Sequence, residues 1–206
     1  MMDGNINKFY RVCFKNPKTA ASAFPEGREN ALLEIDDEVH DLTELPFRLI
    51  LKSVTSTKNG LKVSEDLSNI EDIWTDYQSN CLAWPLMSEK LKTIVSNHLT
   101  GDEGITWIKA KVFAYDDSRD YYLPKFQSRM DVLDEQKTRF SPSAPDSIVI
   151  PVFSLKKISK FAMFHVPYKY MWRITSAMYI NNKMKKDIQK NKIIGIQFEE
   201  APVSDT

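Results

Sequence analysis

The sequence predicts an α+β fold, antiparallel-rich, that contains a duplicated short-helix/strand unit. Three observations carry that prediction. Residues 86–112 and 179–203 share one order: an apolar residue, a helix-capping Ser88 or Asn181, a short amphipathic helix, Gly104 or Gly195, then an alternating strand. Elsewhere apolar and polar residues alternate in short runs, the period of a half-buried strand. Asn59-Gly60 lies between two such runs and supplies the positive φ values that a two-residue antiparallel hairpin needs. Two copies of a unit are too few for a solenoid, and a repeated scaffold element explains recurring spacing without an active site.

Taken in order, Phe9 to Lys15 alternates as a first strand, and Pro17 and Pro25 mark a loop. The acidic run Glu34 to Glu44 leads to a second strand, Phe47 to Val54, and then to the hairpin at Asn59-Gly60. Leu67 to Tyr77 reads as a loop with a helical turn, and Cys81 to Leu86 as a buried entry into the first repeat. Ser88 opens a helix with Leu91, Ile94 and Val95 on one face, ending by Thr100 or Gly101. Ile105 to Tyr115 and Tyr121 to Phe126 form a hairpin around the acidic turn Asp116 to Asp120. Met130 to Lys137 is a strand or turn, and Ser141 to Asp146, with Pro142 and Pro145, reads as a linker. Ser147 to Leu155 and Met163 to Ile174 are strand-rich, Asn182 to Lys190 is the second helix, and Ile193 to Glu199 its strand. Residues 1–80 read as a more variable part packed on a main body of residues 81–203.

With 206 residues, 42% apolar, the chain has enough material for a sizeable core. No run reaches the roughly 18 apolar residues of a membrane span, and the start has no basic segment followed by an apolar one, so a cytoplasmic protein without a membrane partner is expected. Cys13 and Cys81 sit far apart in apolar settings, the pattern of reduced buried thiols. His40, His98 and His165 have no second ligand at a metal-binding interval, so no metal and no cofactor is expected. The formal net charge of zero conceals a polarity. Residues 1–80 hold nine basic against fourteen acidic side chains, and residues 153–198 hold ten against one. Fields of opposite sign on one molecule can orient a charged partner.

Pro85 to Leu91, Tyr121-Tyr122, Met130 to Phe140, Ile180 to Ile188 and Gly195 to Phe198 together resemble, in order, a bacterial immunity-protein family. The family is typified by a myxobacterial immunity protein of the polymorphic-toxin systems. Ser88, Glu89 and Leu91 match its helix start; Asp131, Leu133 and Asp134 match its central segment; Asn181, Gly195 and Phe198 match its second helix start and closing strand. Asn181-Asn182 stands where the pattern has Ser-Glu, and Thr138 where it has Ser. Asn caps a helix as well as Ser does, so that change keeps the physics. The resemblance implies a cytosolic toxin inhibitor that is not an enzyme, acts by protein–protein interaction with a cognate toxin, and carries structural rather than catalytic signature residues.

Asp131 and Asp134 could be read as a carboxylate pair, but their place in that signature favours a strand-end charge plus a cap or turn acceptor. His165, among Phe164, Val166 and Tyr168, reads as a satisfied, half-buried histidine. Glu34, Asp36, Asp37, Glu38, Asp41 and Glu44 put six carboxylates in eleven positions, a solvated face or a mimic of nucleic-acid phosphates placed over a toxin's basic cleft. Lys156, Lys157, Lys160, Lys169 and Arg173, interleaved with Phe161, Phe164, Tyr168, Tyr170 and Trp172, support the alternative function, a nucleic-acid-binding module using the basic aromatic C-terminal third. If that stretch is a half-buried strand, its aromatics and cations fall on opposite faces.

Overall fold

The computed structural model describes residues 7–15, 17–27, 39 and 41–205. In chain order the first strands are β1 (Phe9–Phe14), β2 (Thr19–Pro25), β3 (Leu49–Thr57), β4 (Gly60–Ser64), β5 (Tyr77–Gln78) and β6 (Leu86–Ser88). Helix α1 (Glu89–His98) follows, then β7 (Ile105–Ala114), β8 (Asp117–Phe126), β9 (Arg139–Ser141), β10 (Ala144–Ile150) and β11 (Phe153–Ser154). The chain closes with α2 (Leu155–Ile158), β12 (Met163–His165), β13 (Met178–Asn181), α3 (Asn182–Lys190), β14 (Ile196–Glu200) and β15 (Val203–Ser204). Strands hold 44% of the chain and helices 12%, so the α+β expectation fits loosely and the molecule is mostly β.

The larger sheet runs β2-β3-β7-β8-β6-β5, with β4 folded back on β3. It curls until its ends meet: Ala23 bridges Asn80, the Ala23 amide donates to Ser79 O at 2.8 Å, and Gln78 Nε2 donates to Ala21 O at 2.8 Å. Alternation in β7 turns Ile108, Ala110, Val112 and Ala114 inward, where they meet Leu49, Leu51, Leu86 and Leu123. The small side chains at Ala21, Ala23 and Ala110 take little room inside so tight a curl.

The smaller sheet is antiparallel throughout, in the order β12-β13-β1-β14. One of its faces carries a ring cluster in which Phe153 meets Phe164 and Tyr179 edge-on at 4.9 and 4.5 Å, and Phe164 stacks on Tyr179 at 5.4 Å. On the other face α3 lies across Tyr10 and Phe198. The two sheets are joined where α1 packs on α3, with Leu91, Val95, Met184 and Ile188 buried in a shared core.

Both helix starts and the Asn59-Gly60 hairpin stand where the sequence puts them, and α3 has the expected limits. Other segments differ. Thr19–Pro25 is a strand rather than a loop, since Pro25 ends it and its missing amide interrupts no ladder there. Residues 141–146 form the β9–β10 hairpin instead of a linker, with Pro142 in the turn and Pro145 beside it. Of the two readings of residues 130–137 the turn is the one found, at 135–137 with Thr138 N donating to Asp134 O at 2.8 Å, and the segment's strand pairing is limited to the Leu133–Phe153 bridge. Within 163–174 only Met163–His165 is extended. Cys13 and Cys81 are free thiols, but Cys13 is half-buried and Cys81 exposed. Among the described residues before 80, β1 lies inside the smaller sheet and β2 to β5 belong to the larger.

Candidate functional site

The signature residues hold the fold. Ser88 Oγ accepts from the Leu91 amide at 3.2 Å and donates to Asp76 Oδ1 at 2.7 Å; Asn181 Oδ1 accepts from the Met184 amide at 2.9 Å. Glu89 is exposed, and its hydrogen bond from Tyr122 lowers its carboxyl pKa while holding the phenol up at about 12. Asp134 is buried: Oδ1 accepts from the Gln136 and Lys137 amides at 3.1 and 3.2 Å, and Oδ2 from Ser204 Oγ at 2.7 Å. It fixes a turn and ties β15 to it. Asp131 faces away, paired with Lys157 Nζ at 2.7 Å. The two carboxylates therefore have separate partners and do not form an acid–base pair.

His165 is fully buried between Phe126 and Trp172, with ring centroids at 4.4 and 5.8 Å. Nδ1 lies 2.8 Å from Val166 O and Nε2 3.3 Å from Ser128 O, and burial pushes its pKa below the ordinary value. It is more buried than the sequence suggests, and through Ser128 O it ties β12 to the segment that follows β8. One buried carboxylate escaped the sequence reading. Glu103, 1% exposed, accepts from Thr100 N, Thr100 Oγ1 and Gly101 N through Oε2, and from Ala162 N at 2.8 Å through Oε1. The signal was the Thr-Gly-Asp-Glu-Gly turn after α1, whose free amides call for an acceptor. Among the described residues no three His, Cys, Asp or Glu side chains are grouped to hold a metal ion.

Of the acidic segment, Glu34, Asp36, Asp37 and Glu38 lie outside the described residues. Asp41 and Glu44 are exposed on a stretch that runs along β7, with Leu45 N donating to Lys109 O and Lys109 N to Thr43 O, both at 2.8 Å. The basic aromatic stretch is divided by the fold. Phe161 and Phe164 are buried, Tyr168 and Trp172 half-buried, and Tyr170 is 69% exposed. Lys157 and Lys169 are paired with Asp131 and Asp146, and Arg173 lies over Trp172 at 4.5 Å. Those groups do not make one stacking face.

Two further surfaces stand out on opposite faces of the smaller sheet. One is the β9–β10 arm, which exposes Val149 and Ile150 beside Tyr170 and a left-handed Met171, φ 53°. Grooves of about 530 and 780 Å³ flank the arm and share Pro145, Asp146, Ile148 and Lys169. The other is the outer side of α3, with exposed Lys183, Lys186 and Lys190, and Lys185 held 3.4 Å over the Tyr10 ring.

A scaffold whose signature polar groups are spent on caps, turns and ion pairs, and which presents open grooves and charged faces, is suited to binding. The chain belongs to the Imm11 immunity protein family, whose sequence model matches residues 38–203. Membership suggests a toxin-neutralising, non-catalytic protein. No curated protein matches the chain. Among the described residues no helix is long and apolar enough to cross a membrane.

Proposed function

We propose that this chain binds and neutralises a cognate toxin of a bacterial polymorphic-toxin system in the cytoplasm, by occupying the toxin's surface and without chemistry of its own. Family membership over 38–203 carries the reading. The structural bonds of Asp131, Asp134 and His165 support it, because the side chains that offered themselves as catalysts are already committed. Two charged surfaces are open to such a partner: the acidic stretch around Asp41 and Glu44, which would face a basic cleft, and the basic side of α3.

We also read the two strand–helix–strand units as copies of one element. In each, the flanking strands bracket an antiparallel third, β8 between β6 and β7, and β1 between β13 and β14.

Co-expression with the toxin domain encoded in the adjacent reading frame should restore growth of a susceptible host and yield a stoichiometric complex. Continued killing in the presence of soluble, folded protein overturns the reading.

A further inference from the structure

The lysines of α3 are placed where they work against the helix that bears them. Lys183 lies in its first turn, where the helix dipole repels a cation, and no acidic side chain offsets it there. Lys183, Lys186 and Lys190 follow at spacings of three and four, so they stand in one row about 10 Å long and repel one another. The one carboxylate of α3, Asp187, is engaged by His98 at 3.0 Å and by Asn191. The nearby Glu199 and Glu200 are taken by Arg11 and Lys8. Among the described residues Lys183, Lys185, Lys186, Lys190 and Lys192 have no ion-pair partner.

On the same helix lies a groove of about 300 Å³ in which Ile188, Ile193, Ile196 and Phe198 alternate with Lys185 and two glutamines, with Ile194 exposed at 42% on the connection into β14. A row of cations next to a groove of mixed apolar and polar lining is a surface a protein partner can use, with apolar contact in the groove and charge contact along the row. A nucleic acid would gain phosphate contacts from the row but no stacking platform, since the neighbouring rings of Tyr10 and Phe198 lie under Lys185 at 3.4 and 5.8 Å.

We propose that the outer side of α3 and the groove beside it form the docking surface for the toxin, and that the toxin meets it with an acidic patch seated around an apolar side chain. This rests on the toxin-binding reading. Charge complementarity relieves the repulsion within the row and speeds encounter, while the groove supplies the apolar contact.

The test uses the full chain and the toxin domain from the adjacent reading frame, with association followed by stopped-flow fluorescence over a salt series. Wild-type association should slow as salt rises. K183E/K186E/K190E, confirmed folded by circular dichroism, should associate about tenfold more slowly or worse at physiological salt, and the matching triple Arg variant should behave as wild type. Equal association of the folded Glu variant overturns the proposal, as does a loss confined to Asp41→Lys/Glu44→Lys or to Tyr170→Ala on the arm. Binding of a single-stranded RNA oligonucleotide that the Glu variant loses, with toxin association unchanged, also overturns it. A wild-type chain that neither binds nor neutralises the toxin domain defeats the toxin reading itself, a result separate from all of these.

Discussion

The units β6–α1–β7 and β13–α3–β14 share a backbone plan and differ in how tightly the rest of the molecule grips them. Each cap residue sits at a strand end opposite a buried aromatic, Ser88 across from Tyr121 and Asn181 across from Phe9. Each helix is followed by a glycine in the left-handed region, Gly104 at φ 58° and Gly195 at φ 83°. Around Gly104 there is room, with Gln127 Cβ 3.6 Å from where a Cβ would stand; around Gly195 there is none, with Tyr77 O at 2.6 Å and Thr75 Cβ at 2.7 Å. Tyr77 N donates to Ile194 O at 3.1 Å, and Asp76 accepts from both Ser88 Oγ and the Ile194 amide. The segment 75–77 thus clamps the first unit's cap to the second unit's glycine. Two units with the same order of cap, helix, glycine and strand need not be equal parts: a joint between the sheets is built at Gly195, and Gly104 is an ordinary turn.

The helices should be equally indispensable. Leu91 and Met184 occupy the same place after their caps, 1% and 0% exposed, and lie in the same core. Leu91→Ala and Met184→Ala should each cost about 2–5 kcal/mol in urea unfolding. A small loss at one position only would mean that the two helices do not share a cooperative core. The glycines should separate sharply. Gly195→Ala should cost about 3 kcal/mol, because a left-handed alanine must also displace a backbone carbonyl, and Gly104→Ala about 1 kcal/mol from φ alone. Equal losses would remove the distinction between joint and turn.

The caps should differ in the other direction. Asn181→Ala loses one amide acceptor, about 1 kcal/mol. Ser88→Ala loses that and also strips Asp76 Oδ1 of its Ser88 donor, leaving Asp76 only the Ile194 amide on Oδ2, so about 2 kcal/mol is expected by thermal melting. If the two are equal, the bond to Asp76 contributes nothing to stability.

What could be read in the sequence was local. Caps, helical periodicity and the Asn-Gly turn act within a few residues, so α1, α3 and the β3–β4 hairpin were legible along with the structural role of Ser88, Asn181 and Asp134. What could not be read depends on distant pairing. Thr19–Pro25 is buried toward its centre and shows no period-two pattern, and the meeting of Ala23 with Asn80 that closes the curl is set by small side chains far apart in the chain. The two prolines of 141–146 marked a turn correctly and its context wrongly. The lysines of α3 were visible as a charge run, whereas their lack of carboxylate partners among the described residues depends on where Arg11, Lys8 and His98 hold the nearby acids.

Acid should weaken the smaller sheet through His165. Its folded pKa lies below the ordinary 6.5, so above that pH both folded and unfolded chains hold it neutral and its contribution is complete. As pH falls from about 6.5 the unfolded chain takes the proton first, and stability declines until the folded pKa is passed. Unfolding free energies between about pH 7 and 5 should therefore slope downward more steeply in wild type than in His165→Gln. Identical slopes would show that the buried ring does not titrate on unfolding in that window.

The smallest expected effect has the sign that stability alone would not favour. At the second helical position both units carry a lysine, Lys90 and Lys183, but Glu89 precedes the first, whereas the buried Asn182 precedes the second. Replacing Lys183 with Glu puts a carboxylate at the positive end of the dipole and breaks the row of cations, so α3 should gain about 0.3–1 kcal/mol. Lys90→Glu should gain less, because a new repulsion from the adjacent Glu89 opposes the dipole term. A calorimetric melt at low salt resolves both changes, and high salt should erase them. A Lys183→Glu variant that is more stable yet associates more slowly with the toxin domain would show that α3 keeps its cations at the expense of its own stability. A variant less stable than wild type would mean that Lys183 makes a folded-state contact that outweighs the dipole, and the difference between the two units at this position would lose its electrostatic explanation.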